Sequence, residues 1–187
     1  TGRMSCSKPN AQSQEKGELH SVYVAGAGRK FVGADWSMME LRAAAIISGD
    51  LRMLAALESG KDLHIQTASS VTRRPEEAIG KSDPERSLAK ALGFGLLYGM
   101  GAATFRDYAA NSYGVEITFL EATQHRNAYF RLYPGLRRWQ ERQSTISKGR
   151  YAADTRYGRH VRCQKKDGTF HYTRSLNVPI QGSCADT

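Results

Sequence analysis

The chain has 187 residues, 40% of them hydrophobic, a formal net charge of +9 and an isoelectric point near 9.6. That length buries a real core, as one ordinary domain or as slices of two neighbouring subdomains, and excludes a small stapled scaffold. No apolar run reaches the ~20 residues that span a bilayer, nothing at the start resembles a signal peptide, and the basic balance points to a polyanionic partner, nucleic acid first.

In chain order, residues 1–17 are polar and turn-rich. From His20, HSVYVAGAGRKFVGAD places two β-prone runs around an Ala-Gly-Ala-Gly turn, which predicts a hairpin whose second strand ends at Asp35. SMMELRAAAIISG then predicts a helix with Ser37 as N-cap and Gly49 as its stop, and DLRMLAALESG a second helix stopped by Gly60. KDLHIQTASSV and RPEEAIG read as short helices, and Ser82-Asp83-Pro84 opens another, because a capping side chain comes before a proline in the first turn. The segment from Phe119 to Lys148 is helical in pattern and broken at Pro134-Gly135, and a Lys-Asp-Gly turn after it predicts a hairpin. Helix is expected to outweigh strand in a mixed α and β chain.

The cations gather late, in Arg126, Arg131, LRRWQERQ, SKGRY and TRYGRHVRCQKK, interleaved with Tyr129, Phe130, Tyr133, Trp139 and Tyr151. Phosphate contacts plus stacking surfaces fit that mixture, and so does a solvated basic face around core aromatics. Cys6, Cys163 and Cys184 are far apart and form no CxxC pair, which reads as reduced thiols in a cytosolic setting. A start on Thr1 and a stop at Thr187, after a Gly-Ser-Cys-Ala-Asp run that looks like the beginning of a helix, lead us to expect a piece of a longer protein.

RSLAKALGFGLLYG, residues 86–99, carries the most informative pattern. Positions four apart advance about 6 Å and drift about 40° around a helix, so Arg86, Lys90 and Phe94 form one stripe, with Leu88, Leu92 and Leu96 on the opposite side. From Arg86 to Phe94 the rise is about 12 Å, comparable with the reach of a nucleoside triphosphate from terminal phosphate to base. Arginine offers a fork to phosphate oxygens and lysine a compact charge that can also protonate a leaving group. A solvated cationic face with Phe94 dipping into the core accounts for the same spacing. Gly93, Gly95, Gly99 and Gly101 weigh against it, since each costs about 1 kcal/mol inside a helix and would let a nucleobase or DNA backbone come close.

The series R-x-x-x-K-x-x-x-F-G-x-x-Y-G, from Arg86 to Gly99, resembles the nucleotide-binding helix of family A DNA polymerases, the bacterial polymerase I type. The resemblance implies that Arg86 and Lys90 bind the incoming triphosphate, that Lys90 also serves catalysis, that Phe94 packs on the sugar and that Tyr98 lies near the templating base. Separately, Asp35-Trp36-Ser37-Met38-Met39-Glu40-Leu41-Arg42 resembles the family's D-x-S-x-x-E-L-R motif. Phosphoryl transfer uses divalent ions gripping the attacking and leaving oxygens. The resemblance makes Asp35 a catalytic carboxylate ligand of two Mg2+ ions, with the Trp36 carbonyl beside it. Glu40 has two readings: a capping box from Ser37 to Glu40 explains it locally, whereas the resemblance makes it a gate that excludes a ribose 2′-hydroxyl.

His64, in DLHIQTAS, matches a family histidine near the triphosphate. TGRMSCSKPNAQSQ resembles a stretch in which Arg3, Asn10 and Gln12 contact duplex DNA, with Ser13 departing from the family's usual asparagine. SLNVPIQGSCAD resembles N-x-x-I/V-Q-G-x-A-A-D, so Asn177 and Gln181 would donate to acceptors shared by all base pairs in the minor groove. The implied fold is helix-rich α+β: residues 1–50 a partial palm, 51–150 a fingers subdomain with its nucleotide-binding helix at 84–101, and 151–187 a return to the palm's antiparallel sheet. The implied activity is template-directed DNA polymerisation on primer-template DNA with dNTPs, by a monomer with no membrane partner, in the cytoplasm of a bacterium or phage-infected host. The family's His-Asp-Glu run follows the Gln181 motif and is not in this sequence, so the 187 residues alone are expected to be inactive. A single-subunit RNA polymerase and a non-catalytic DNA-binding relic are the alternatives. Tyrosine in place of Phe94 would, by the same resemblance, relax discrimination against dideoxynucleotides.

Overall fold

The computed structural model describes residues 2, 3, 5–8, 10 and 21–187. Helix dominates: α1 Met39–Ser48, α2 Leu51–Glu58, α3 Leu63–Thr72, α4 Pro84–Leu97, α5 Ala102–Tyr113, α6 Phe119–Leu132 and α7 Pro134–Arg150 precede a small sheet. That sheet is β1 Ala152–Asp154 paired antiparallel with β2 His160–Arg162, Ala153 opposite Val161. The chain closes with α8 Tyr172–Asn177, a π-helical turn Val178–Gly182 and α9 Ser183–Ala185. The helix-rich α+β class expected from the sequence is therefore present. Among the described residues no helix is long and apolar enough to cross a membrane.

Local signals set most helix ends. Asp50 and Asp62 cap α2 and α3 through side-chain oxygens, Pro84 and Pro134 occupy first-turn positions of α4 and α7, and Thr118 forms a full capping box with Glu121 on α6. One apolar core joins α1 to α8, built on Leu41, Met53, Leu92, Leu96, Phe105, Tyr129, Tyr133, Leu136 and Leu176. Tyr129 is fully enclosed, and its ring meets those of Phe130 and Tyr133 edge-on at 5.5 and 5.1 Å.

Asp50 ties two helices together. Its Oδ1 accepts from the backbone N–H groups of Arg52 and Met53 at 3.1 Å each, and its Oδ2 accepts from Gly135 and Leu136 of α7 at 2.7 and 3.1 Å. One buried carboxylate thus satisfies four orphan donors at two helix starts. Gly135 makes this possible, since a Cβ there would stand 2.7 Å from Asp50 Cα.

Several expectations are corrected. Residues 20–35 form no strand among those described; a turn closes from Arg29 N–H to the Gly26 carbonyl at 2.9 Å, and Val22, Val24, Phe31 and Val32 are exposed. A lone hairpin is marginal without a further strand or helix against its apolar face, and none of the described residues supplies one. Helix α1 starts one turn-like step later than Ser37: Met38 sits in the left-handed region with φ 52°, and no side chain caps the helix. The helix expected over 84–101 ends at Leu97, and Gly101 begins α5 instead. Gly93 and Gly95 are buried, and a Cβ on Gly95 would meet Met100 Sδ at 3.1 Å and Tyr108 Cδ1 at 3.2 Å. The close approach that Gly95 permits is that of α5, not of a nucleobase. The hairpin expected around the Lys-Asp-Gly turn is present, held by a bridge between Gln164 and Phe170, and it follows a separate strand pair, β1 and β2, joined by a turn at 155–158.

Candidate nucleotide pocket

From Leu88 onward, helix α4 is buried except on one stripe. From Leu88 to Leu97 only Lys90 and Phe94 keep part of their surface open, and Arg86 continues that stripe one turn earlier. The leucines expected on the far side, Leu88, Leu92 and Leu96, are all buried. Packing of α3, α5 and α6 around α4 leaves Lys90 and Phe94 open beyond the first turn, where Arg86, Glu85 and Ser87 are also partly open.

Helix α3 supplies the neighbours of that stripe. His64 is 6% exposed and its ring lies 6.0 Å from that of Phe94, tilted by 41°. Burial lowers the His64 pKa to about 4, the Asp62 charge opposing and the Arg86 and Lys90 charges adding to the drop. The imidazole is thus neutral at pH 7 and can donate a hydrogen bond without carrying charge. Asp62 has two functions. Its Oδ1 caps α3 through the His64 N–H at 2.9 Å, and its Oδ2 accepts from Arg86 Nε and Nη2 at 3.0 and 2.7 Å. Burial works to raise the Asp62 pKa, but the Arg86 and His64 hydrogen bonds outweigh it and hold the carboxyl below the usual range. Arg86 is aimed by this pair, whereas Lys90 makes no hydrogen bond or ion pair among the described residues.

A pocket of about 330 Å³ opens beside Phe94, and Arg3, Asp35, Trp36, Glu40 and Gln181 share its wall. Six residues singled out from four separated motifs therefore face one space. Glu40 is its polar hub, accepting from Arg3 Nη2 and the Tyr98 hydroxyl and from Gln181 Nε2 at 3.1 Å. The capping-box reading of Glu40 is overturned, because these three donors take the carboxylate that a back-bond to Ser37 would need. Burial pushes the Tyr98 phenol far above its ordinary pKa, the Arg3 charge partly opposing, so it stays protonated as a donor to Glu40.

The remaining predicted residues sit at the margins. Asn177 ends α8 with its Oδ1 buried and without a partner among the described residues. Asn10 is exposed and does not line the pocket. Gln12 lies outside the described residues. Asp35 and Trp36 are exposed at the pocket's rim, and Asp35 makes no hydrogen bond or ion pair among the described residues.

The donor set does not fit a divalent-ion pair by itself. No three His, Cys, Asp or Glu residues come together among those described, and of the two carboxylates lining the pocket Glu40 is already engaged by three donors. Asp35 remains as the pocket carboxylate with no hydrogen bond or ion pair among the described residues.

Sequence reasoning missed the residues that position the site's side chains. Asp62 carried a visible signal as an acid directly before a helix, but its grip on Arg86 spans 24 residues and has none. Arg159 bonds Asp186 at 2.8 Å and the Gly182 carbonyl at 3.2 Å, and the Ser183 hydroxyl accepts from the Arg156 N–H at 2.8 Å. Together the 155–159 turn staples the segment that presents Gln181. Cys184 also lines the pocket, its thiol pKa raised by burial.

The match to known proteins covers the whole chain. The family model for DNA polymerase family A matches residues 1–187. DNA polymerase I of Aquifex aeolicus is 38% identical over 188 residues, 100% of this chain and 31% of that protein. The thermostable DNA polymerase I of Thermus thermophilus is 34% identical over 198 residues, again 100% of this chain and 23% of the relative. Among solved structures, the POL domain of Pol1 from M. smegmatis, in complex with DNA primer-template and dNTP, superposes with a TM-score of 0.78 at 26% identity, covering 98% of this chain and 33% of that one. The chain thus spans about a third or less of the relatives it matches. Four motifs in order, their convergence on one pocket and a match from the first residue to the last lead to one conclusion: the chain belongs to DNA polymerase family A.

Proposed function

We propose that this chain is part of the catalytic core of a template-directed DNA polymerase, a monomer that binds a dNTP against α4 and extends a primer on a DNA template. The observation that carries the reading is the partly open stripe of α4, Arg86, Lys90 and Phe94, on a helix buried elsewhere from Leu88 onward and standing beside a neutral His64. Arg86 and Lys90 take the triphosphate, Lys90 donates a proton towards the departing pyrophosphate, and Phe94 packs on the sugar. Tyr98 sits towards the templating base, and Glu40, fixed by its three donors, limits room at the ribose 2′ position. Arg3, Asn10, Gln12, Asn177 and Gln181 approach the duplex, the last two donating through their side-chain amides.

In this reading residues 1–50 belong to a palm, 51–150 to fingers and 151–187 to the palm again. Asp35 offers one carboxylate, and the described residues bring no group of three His, Cys, Asp or Glu side chains together. For that reason the 187 residues alone are expected not to extend a primer.

Two measurements test the proposal. Titration of the chain with a fluorescent dNTP should show binding that Lys90→Ala weakens about tenfold, the worth of one charge-assisted contact. Grafting residues 1–187 into the matching segment of an active family A polymerase should restore primer extension, and Asp35→Ala in that graft should abolish it. Unchanged dNTP affinity in Lys90→Ala, or a folded graft that fails to extend, overturns the reading.

A further inference from the structure

The nucleotide pocket leaves unused the second hairpin, residues 162–170, which carries three exposed cations. Arg162, Gln164, Lys165, Lys166 and Gly168 line a shallow depression of about 370 Å³. All three cations are exposed, and none forms an ion pair among the described residues. Arg162 turns its guanidinium to the Gln164 side-chain oxygen, a neutral partner. The one acid in the loop, Asp167, faces elsewhere: its Oδ1 accepts from the Thr169 N–H at 2.9 Å and the Thr169 hydroxyl at 2.6 Å. Those hydrogen bonds, with a smaller contribution from the Lys165 charge, hold the Asp167 carboxyl below the usual range.

The loop is built rigidly. Lys165 N–H donates to the Thr169 carbonyl at 2.8 Å, Gly168 N–H to Lys165 at 3.1 Å, and Gln164 Nε2 to Gly168 at 2.8 Å. At its root, buried Cys163 packs on Ala153 and Val178, and the His171 N–H donates to the Cys163 carbonyl at 2.9 Å. Val178 opens the turn that presents Gln181 to the pocket. The cations therefore stand at a fixed offset from a pocket residue.

We propose that this hairpin is a clamp for the phosphodiester backbone of DNA, separate from the nucleotide pocket. Adjacent cations on a preformed turn, with an amide between them and no apolar anchor at the tip, match repeated phosphates better than the side chains of an acidic peptide. Binding through the hairpin is independent of base sequence. The proposal rests on the polymerase reading only in naming DNA as the polyanion.

The test is anisotropy of a labelled DNA duplex bound to the chain between about 50 and 200 mM salt, where each phosphate contact contributes a slope of about 0.9 in log K against log salt. The triple variant Arg162→Ala, Lys165→Ala, Lys166→Ala should reduce the slope by about 2.7, equally for two unrelated sequences. Lys165→Arg with Lys166→Arg should keep the wild-type slope, which separates lost charge from a misfolded turn. An unchanged slope in the triple variant, or an effect seen only with poly-glutamate, overturns the proposal. If the slope falls as expected while Lys90→Ala leaves dNTP affinity intact, the pocket reading fails and the clamp stands.

Discussion

Asp50→Ala removes the acceptor for four backbone N–H groups at the starts of α2 and α7. An N-cap is worth about 1 kcal/mol and up to about 2, and a buried donor left without a partner costs about 1–3. Asp50 is 1% exposed, so water cannot substitute for it, and the loss should lie near 3 kcal/mol. For a chain of this size that lowers the melting temperature by roughly 6–12 °C. Asp50→Asn keeps one oxygen for one helix but turns an amide NH2 towards the donors of the other, so about half the loss is expected. Gly135→Ala places a Cβ 2.7 Å from Asp50 Cα and displaces the same carboxylate. Its cost should therefore overlap that of Asp50→Ala, and the double variant should lose clearly less than the sum. Urea unfolding followed by circular dichroism measures all four proteins. A loss below about 1 kcal/mol for Asp50→Ala, or strict additivity with Gly135→Ala, refutes the double-cap account.

His64, with a pKa of about 4 when folded against an ordinary 6.5, takes up a proton in the unfolded chain first as pH falls. Stability should thus decline from pH 6.5 towards 4, by at most about 3 kcal/mol, and the decline should be shallower in His64→Gln; parallel curves for the two proteins remove the basis for this claim. Asp62→Ala should cost about 1–2 kcal/mol by uncapping α3 and releasing Arg86, whereas Asp62→Ser retains a cap and should cost less; equal losses in denaturant titrations would assign the whole effect to the Arg86 pair. Gly95→Ala gains helix propensity of about 1 kcal/mol but must push α5 outward, and a net loss of about 1 kcal/mol is expected, with a stabilised variant in thermal melts contradicting the contact. Tyr98→Phe removes one of Glu40's three donors, and a loss of stability above about 1.5 kcal/mol would show that the hub depends on that hydroxyl more than we infer.

Elements built on local physics were legible in the sequence. The α4 stripe followed from helical period alone, since leucines and cations at four-residue spacing can take only opposite faces. Gly49, Pro84 and the break at Pro134 are likewise local chemistry. The strands expected before Asp35 failed because β propensity describes a fit to neighbours, and the described residues bring none there. Glu40 shows the reverse conflict, as a capping-box spacing yielded to three donors from residues far along the chain. Asp50 and Asp62 were half legible: each announces one helix start, while its second oxygen serves a partner 85 or 24 residues away, where no local pattern reaches.

The Glu40 hub also bears on the order in which the molecule assembles. Its three bonds close separations of 37, 58 and 141 residues, whereas the helical core between α3 and α7 joins neighbours in sequence. Closing long loops carries an entropic penalty before any contact returns it, so short-range helix packing comes first. The core around Tyr129 and Leu92 can therefore form before the pocket does, because the pocket waits on the contact between Glu40 and Gln181 across 141 residues. The pocket beside Phe94 then closes onto a scaffold already folded.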